Sequence, residues 1–159
     1  MKYLKSYKIF ESRDNQFFKT KEETKDWLDE VSIGKYTIND DLTVDVDGDV
    51  DLNNKKLEKI PVKFKSIGGY FNCGSNQLTS LEGCPKSVGG HFNCNSNPIE
   101  EVYNLFGNEE CIKWLNEYNV IKGNKIILNN FKEVVYMMDM EHTFNYKKLY
   151  QLKNYKISE

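Results

Sequence analysis

Between Leu42 and Leu52 apolar and polar residues alternate: Leu42, Val44, Val46, Val50 and Leu52 fall on one side of an extended chain, and Asp45, Asp47, Asp49 and Asp51 on the other. Alternation at period two marks a half-buried strand, so the segment predicts a strand pair with an acidic face in solvent. The pattern does not stop there. The run Ile67-Gly68-Gly69-Tyr70-Phe71-Asn72-Cys73-Gly74-Ser75-Asn76-Gln77-Leu78-Thr79-Ser80-Leu81 is written again 21 residues later as Val88-Gly89-Gly90-His91-Phe92-Asn93-Cys94-Asn95-Ser96-Asn97-Pro98-Ile99-Glu100-Glu101-Val102. A weaker copy precedes both in the same frame. Val46, Gly48, Val50, Leu52, Leu57 and Ile60 occupy its glycine and apolar slots, and Lys55 stands where the others carry Asn76 and Asn97.

A fixed period of this length means one small unit stacked on itself, because a single copy cannot bury its own apolar face. Each copy reads as a short strand, a turn, and a return segment. Parallel stacking at about 4.8 Å puts Phe71 beside Phe92, Cys73 beside Cys94, and Asn76 beside Asn97. A buried asparagine carries donors and an acceptor for turn backbone groups, so Asn76 and Asn97 read as a structural ladder. Gly48, Gly69 and Gly90 share one repeat position, where positive φ or close backbone approach is expected. Residues between the buried ones face outward together: Asp49 and Asp51, Tyr70 and Asn72, His91 and Asn93. Such a row combines hydrogen bonding with an aromatic anchor, the composition of a protein-contact surface. A solvated sheet face with no partner accounts for the same residues equally well.

The copies span residues 46–66, 67–87 and 88–106, within a repeat body of residues 37–106. Before them, Thr20-Lys21-Glu22-Glu23 is a capping box, and Trp27, Leu28 and Val31 lie on one stripe of the helix that follows, up to Gly34. Residues 18–36 are expected to cover the first copy, which would otherwise expose core and strand edge. After the copies, residues 107–159 predict a C-terminal α/β cap. Asn108 to Tyr118 reads as a helix, with Cys111, Leu115 and Tyr118 on one face. Val120-Ile121 and Ile126 to Leu128 flank the turn signal Lys122-Gly123-Asn124 as a hairpin. Asn130 to Glu133 is a second capping pattern, opening a helix with the stripe Phe131, Val134, Val135 and Met138. Tyr146, Leu149, Leu152, Tyr155 and Ile157 remain for docking the tail.

Phe71-x-Cys73-x-x-Asn76-x-Leu78-x-x-Leu81 and Phe92-x-Cys94-x-x-Asn97-x-Ile99-x-x-Val102 resemble the conserved segment of leucine-rich repeats, with Phe and Cys in two of the usual aliphatic slots. The Cys84-Pro85 and Ile60-Pro61 returns are similar to those of the short repeats of secreted bacterial effectors. The resemblance implies an α+β chain built as a short three-rung leucine-rich-repeat-like β-solenoid, with an N-terminal helical cap and a C-terminal α/β cap. A long horseshoe is not implied, given three copies and Lys55. Residues 1–17 form a leader or amphipathic segment, with Tyr3, Leu4, Tyr7 and Phe10 on one helical face. Ile9-Phe10-Glu11, followed by Ser12, resembles the Leu/Ile-x-Glu cleavage sequence in the N-terminal leaders of internal head proteins of T-even-like tailed phages. That resemblance implies a phage-encoded protein, packaged in the phage head, cleaved before Ser12 and delivered to the host cytoplasm.

Composition narrows the chemistry. With 159 residues, 39% hydrophobic and 29% charged, the chain has the length and balance of one globular domain. No apolar run approaches a membrane span, and no apolar signal core opens the chain, so no membrane partner is expected. Eleven acidic residues against two lysines lie between Glu22 and Asp51, while four lysines against one glutamate follow His142. Neither end is a clustered basic face, so nucleic acid is not an expected partner. The acidic front suggests calcium, but placing Gly48 at the EF-hand glycine puts Thr43 at the first ligand and Asn54 where a bidentate glutamate belongs. No metal and no cofactor are expected. Cys73 and Cys94 belong to the buried slots as small hydrophobes, not to a bridge, because parallel neighbours aim their side chains alike.

Catalysis needs convergent groups, and no phosphate loop, nucleophile elbow or His/Glu metal motif is present, so no catalytic residue is assigned. Cys111 with His142 is the one imaginable thiol–base pair, and the apolar pattern of each segment already explains both. The expected function is a non-enzymatic, monomeric protein–protein interaction module whose partner is a host protein. Two alternatives stand beside it: repeats that select a target for a C-terminal effector or enzyme in residues 108–159, and a structural or decoy protein whose acidic front occupies a basic surface.

Overall fold

The computed structural model describes residues 17–107 and 111–159, with the backbone alone for residues 112, 113 and 116. The leader residues Ile9, Glu11 and Ser12, and Asn108 at the start of the expected helix, lie outside the described residues. Helix α1 runs over Lys21–Glu30 and starts where the capping box predicts. The Glu23 N–H donates to Thr20 Oγ1 at 3.1 Å, satisfying a donor that the first turn leaves unpaired, and the Glu23 carboxylate accepts from the N–H of Lys19, just before the cap, at 3.0 Å. Trp27 and Leu28 are buried along the predicted stripe.

Two sheets follow. The first contains β1 (Tyr36–Ile38), β2 (Thr43–Val46), β4 (Lys63–Ile67) and β6 (Ser87–Val88) in the order β1-β2-β4-β6, with β1 antiparallel to β2 and the other pairs parallel. The second contains β3 (Val50–Asp51), β5 (Phe71–Asn72) and β7 (Phe92–Asn93), all parallel. The 21-residue frame is kept in both: Val46 pairs with Ile67 and Ile67 with Val88, Val50 with Phe71 and Phe71 with Phe92. The Phe71 and Phe92 rings stack with centroids 5.5 Å apart. Apolar side chains at these positions meet their equivalents one strand away, which is what repeats in register allow.

The expected three-rung leucine-rich-repeat-like β-solenoid is corrected by this topology. The strands form separate small sheets of three or four strands, neither closed nor curled on itself, and the α+β class is all that remains of that reading. Each copy supplies two strands, not one, because the pairs Gly68-Gly69 and Gly89-Gly90 break the extended run between β4 and β5 and between β6 and β7. A ladder interrupted every few residues cannot continue as one wrapped sheet. The glycines themselves are explained by approach rather than by left-handed backbone. A Cβ on Gly69 would lie 1.9 Å from Asp49 Oδ1 and one on Gly90 3.1 Å from the Tyr70 nitrogen, whereas around Gly48 nothing lies within 4 Å; one position earlier, a Cβ on Gly89 would lie 2.0 Å from the Gly68 carbonyl oxygen and one on Gly68 2.5 Å from that of Asp47. Each copy leans on the copy before it, and the first has none to meet.

The C-terminal part begins with α2 (Glu100–Tyr103), continues through α3 (Cys111–Glu117), the hairpin β8 (Ile121–Lys122) and β9 (Lys125–Ile127), and α4 (Leu128–Met137), and ends in a 3-10 helix (Tyr146–Gln151) and β10 (Lys156–Ser158). The hairpin turns at Gly123, whose φ of 58° suits glycine. β10 adds to β9 in parallel, making a third sheet of order β10-β9-β8. Asn130 does not cap α4: the helix starts at Leu128, and the Asn130 amide instead donates to the Tyr118 carbonyl at 2.8 Å. The tail is tied to the repeats at two points. The Tyr155 hydroxyl donates to the Thr79 carbonyl at 2.7 Å, and the Glu101 carboxylate accepts from the Lys153 and Asn154 N–H groups and from the Asn154 side chain. The buried side chains from Trp27 to Tyr155 form one core.

Candidate functional site

The outward residues of the β3–β5–β7 sheet come together as two columns. Asp49, Tyr70 and His91 lie just before the three strands, and Asp51, Asn72 and Asn93 lie on them. The second column is tied down by its own backbone. Oδ1 of Asp51, Asn72 and Asn93 accepts the N–H two residues on, from Asn53, Gly74 and Asn95, at 3.0 Å in each case. These are side-chain turns of the kind Asp and Asn form readily, and they end each strand at the same place. The Asn93 amide also donates to Asn72 Oδ1 at 3.1 Å, so adjacent copies are bonded through these side chains.

In the first column, Asp49 Oδ1 accepts the Tyr70 N–H at 2.9 Å. The Tyr70 and His91 rings then stack with centroids 6.1 Å apart and planes 12° from parallel. His91 is exposed and Tyr70 half-buried. Among the described residues no group hydrogen-bonds the Tyr70 phenol or the His91 imidazole. The six predicted residues are thereby sorted by role: Asp51, Asn72 and Asn93 hold the sheet, Asp49 orients a backbone amide, and Tyr70 and His91 present rings to solvent.

The buried ladder lies on the other side of the strands. The Asn76 amide donates to the carbonyls of Leu52, Cys73 and Gly74 at 2.8, 2.9 and 3.0 Å, while its Oδ1 accepts the Lys55 and Leu57 N–H groups at 3.0 Å. Asn97 repeats the pattern one copy later, donating to Cys73, Cys94 and Asn95 and accepting from Leu78. Each asparagine reaches back to the preceding copy. That is why the first copy carries Lys55 instead: it has no earlier backbone to serve. Both asparagines are buried, as a residue with every polar atom paired can be.

The acidic front is engaged locally. Ser66 and Asn39 both donate to the Asp45 carboxylate, which holds its pKa below the usual range. Lys25 and the Tyr36 hydroxyl do the same for Asp29. Among the described residues no group of three or more His, Cys, Asp or Glu side chains is placed to hold a metal ion.

The thiol–base pair does not assemble. Cys111 is wholly buried in the core, whereas the His142 side chain is 93% exposed beside Glu141. Cys73, Cys84, Cys94 and Cys111 are all buried and none forms a disulfide, and burial pushes the Cys84 thiol well up, with its neighbour Cys73 adding to the effect. Such thiols are poor nucleophiles. A cleft between the return segments and the C-terminal part, lined by residues including Leu81, Ile99 and Leu115, encloses about 20 Å³, room for about one water.

Sequence reading missed the exposed aromatics Tyr136 and Tyr150 of the C-terminal part. Tyr136 is off the apolar stripe of α4, which was the available signal. No helix among the described residues is long and apolar enough to cross a membrane. No family model, no curated protein and no solved structure matches this chain.

Proposed function

We propose that the outer face of the β3–β5–β7 sheet is a protein-binding surface and that the chain works through it without catalysis. The observation that carries this reading is the Tyr70–His91 ring pair, stacked and solvent-facing on a sheet whose other outward side chains are already bonded. Rings held in place before contact lose little conformational freedom on binding, and tyrosine is enriched among the residues that dominate interfaces. Asp49 and Asp51 keep unused oxygens at the rim, where charge selects partners more than it adds affinity. The phage-head delivery reading rests on residues 9–12 and adds nothing to this surface.

The test is affinity purification from expressing cells with the wild-type chain, Tyr70→Ala and His91→Ala. Loss of the same recovered protein with both variants is expected. Identical recovery with all three would refute the assignment of this face.

A further inference from the structure

The edges of the sheets are not protected alike. Outer strands in natural sheets are blunted by charged side chains, or by covering elements, because unpaired backbone groups recruit other chains. Strand β3 follows Asp47 and Asp49 and ends in Asp51, β8 carries Lys122, and β10 carries Lys156. Strand β1 follows Lys35 and packs against α1. At the other end of the parallel stack the outer strands are β6, which follows Lys86, and β7, which has no charged residue beside it. From Ser87 to Ser96 no residue carries a formal charge with histidine neutral, and none is proline, in a chain that is 29% charged.

The hydrogen-bonding direction is set by the stack. The Phe71 and Cys73 N–H groups donate to the His91 and Asn93 carbonyls, both at 2.9 Å. The group equivalent to the Phe71 N–H, that of Phe92, points onward in the same sense, where the described residues place no strand. The side chains tell the same story. Phe71 is 0% and Ile67 3% exposed beneath the following copy, whereas Phe92 and Val88, with no copy after them, are only half-buried.

We infer that this edge is closed by the same edge of a second copy of this chain, β7 against β7 in antiparallel register about a two-fold axis. The pairing continues the β3–β5–β7 stack by one strand, with the Phe92 N–H and carbonyl of each molecule meeting those of the other. It sets an uncharged edge on an uncharged edge, His91 across from Asn93, so no carboxylate or ammonium loses water on contact. Head-to-tail growth is disfavoured, because this pairing occupies the β7 edge of both molecules and the opposite edge of the same sheet, β3, follows Asp49 and ends in Asp51. The assembly therefore stops at two.

Sedimentation equilibrium of the full chain from micromolar to millimolar concentration tests this. The mass should rise from the 18.6 kDa of one chain towards twice that value, and amide exchange at Phe92 should slow with concentration. His91→Lys and Phe92→Lys guard the edge and should each weaken dimerisation at least about tenfold; His91 is exposed, so its variant keeps the fold, which a thermal melt verifies. Tyr70→Ala, one strand in, should leave the dimer intact, which separates this interface from the partner-binding face. A wild-type chain that stays at 18.6 kDa throughout, or lysine variants that dimerise as well as wild type, would overturn the inference.

Discussion

Replacing Asn76 by alanine removes five hydrogen bonds at once without touching an apolar contact. The two N–H groups it serves, on Lys55 and Leu57, differ in exposure: Lys55 is exposed, whereas Leu57 is buried and left with a donor and no water. An orphaned buried donor costs about 1–3 kcal/mol. The carbonyls lose less, since the Cys73 oxygen also accepts from Asn97 and a carbonyl has two lone pairs. Adding about 0.5–1 kcal/mol for the lost contacts to Leu52 and Gly74 gives a total of about 3 kcal/mol. At a urea slope of about 1–3 kcal/mol per molar, the midpoint should fall by at least about 1 M. Asn97→Ala should cost about as much, because it orphans the buried Leu78 N–H, and the additional donor that Asn76 serves, the Lys55 N–H, is exposed and regains a water. Lys55→Ala, at the same repeat position, should change stability by less than about 0.5 kcal/mol. Asn76→Asp sharpens the test: its oxygen still accepts, but the second oxygen faces three carbonyls. At neutral pH it should be at least as damaging as alanine, and the deficit should shrink in acid as that carboxyl is protonated. If Asn76→Ala and Lys55→Ala shift the midpoint equally, the backward-reaching ladder is not what joins the copies.

Two further outcomes follow from the same geometry. Gly89→Ala should destabilise by about 1–3 kcal/mol, as overpacking against rigid backbone does, while Gly48→Ala, with open space around it, should be near neutral in the same thermal melts. Burial raises the Tyr155 pKa well above the ordinary phenol value, with the Glu101 carboxylate adding to it. The neutral phenol is therefore the form the fold favours: its contribution is complete below about pH 10 and lost as pH rises beyond it. Urea midpoints at pH 8 and pH 11 should show wild type losing its advantage over Tyr155→Phe, and an unchanged gap would contradict the buried hydrogen bond to Thr79.

Much of the local structure could be read directly. The Thr20–Glu23 box starts α1, the Gly123 turn joins β8 to β9, and Cys73 and Cys94 face inward, because each depends on residues a few positions apart. The outward columns could also be read, but not their division of labour. That Asn72 and Asn93 hold strand ends while Tyr70 and His91 stay open depends on hydrogen bonds to backbone two residues on and one copy away. Helix α4 shows the opposite failure: Asn130 has the look of a cap, yet a partner twelve residues back at Tyr118 takes its amide.

The 21-residue period by itself determined which residues lie side by side, since equal side chains at equal spacing pair only in that frame, and it determined which asparagines are buried between copies. Tertiary structure alone decided that the strands separate into small open sheets, because a two-residue strand carries too few backbone hydrogen bonds to propagate a wrap past a Gly-Gly corner. It also decided that Lys156–Ser158 joins β9, and that β7 is an edge strand among the described residues, as pairing between distant segments leaves no mark in the pattern of either one.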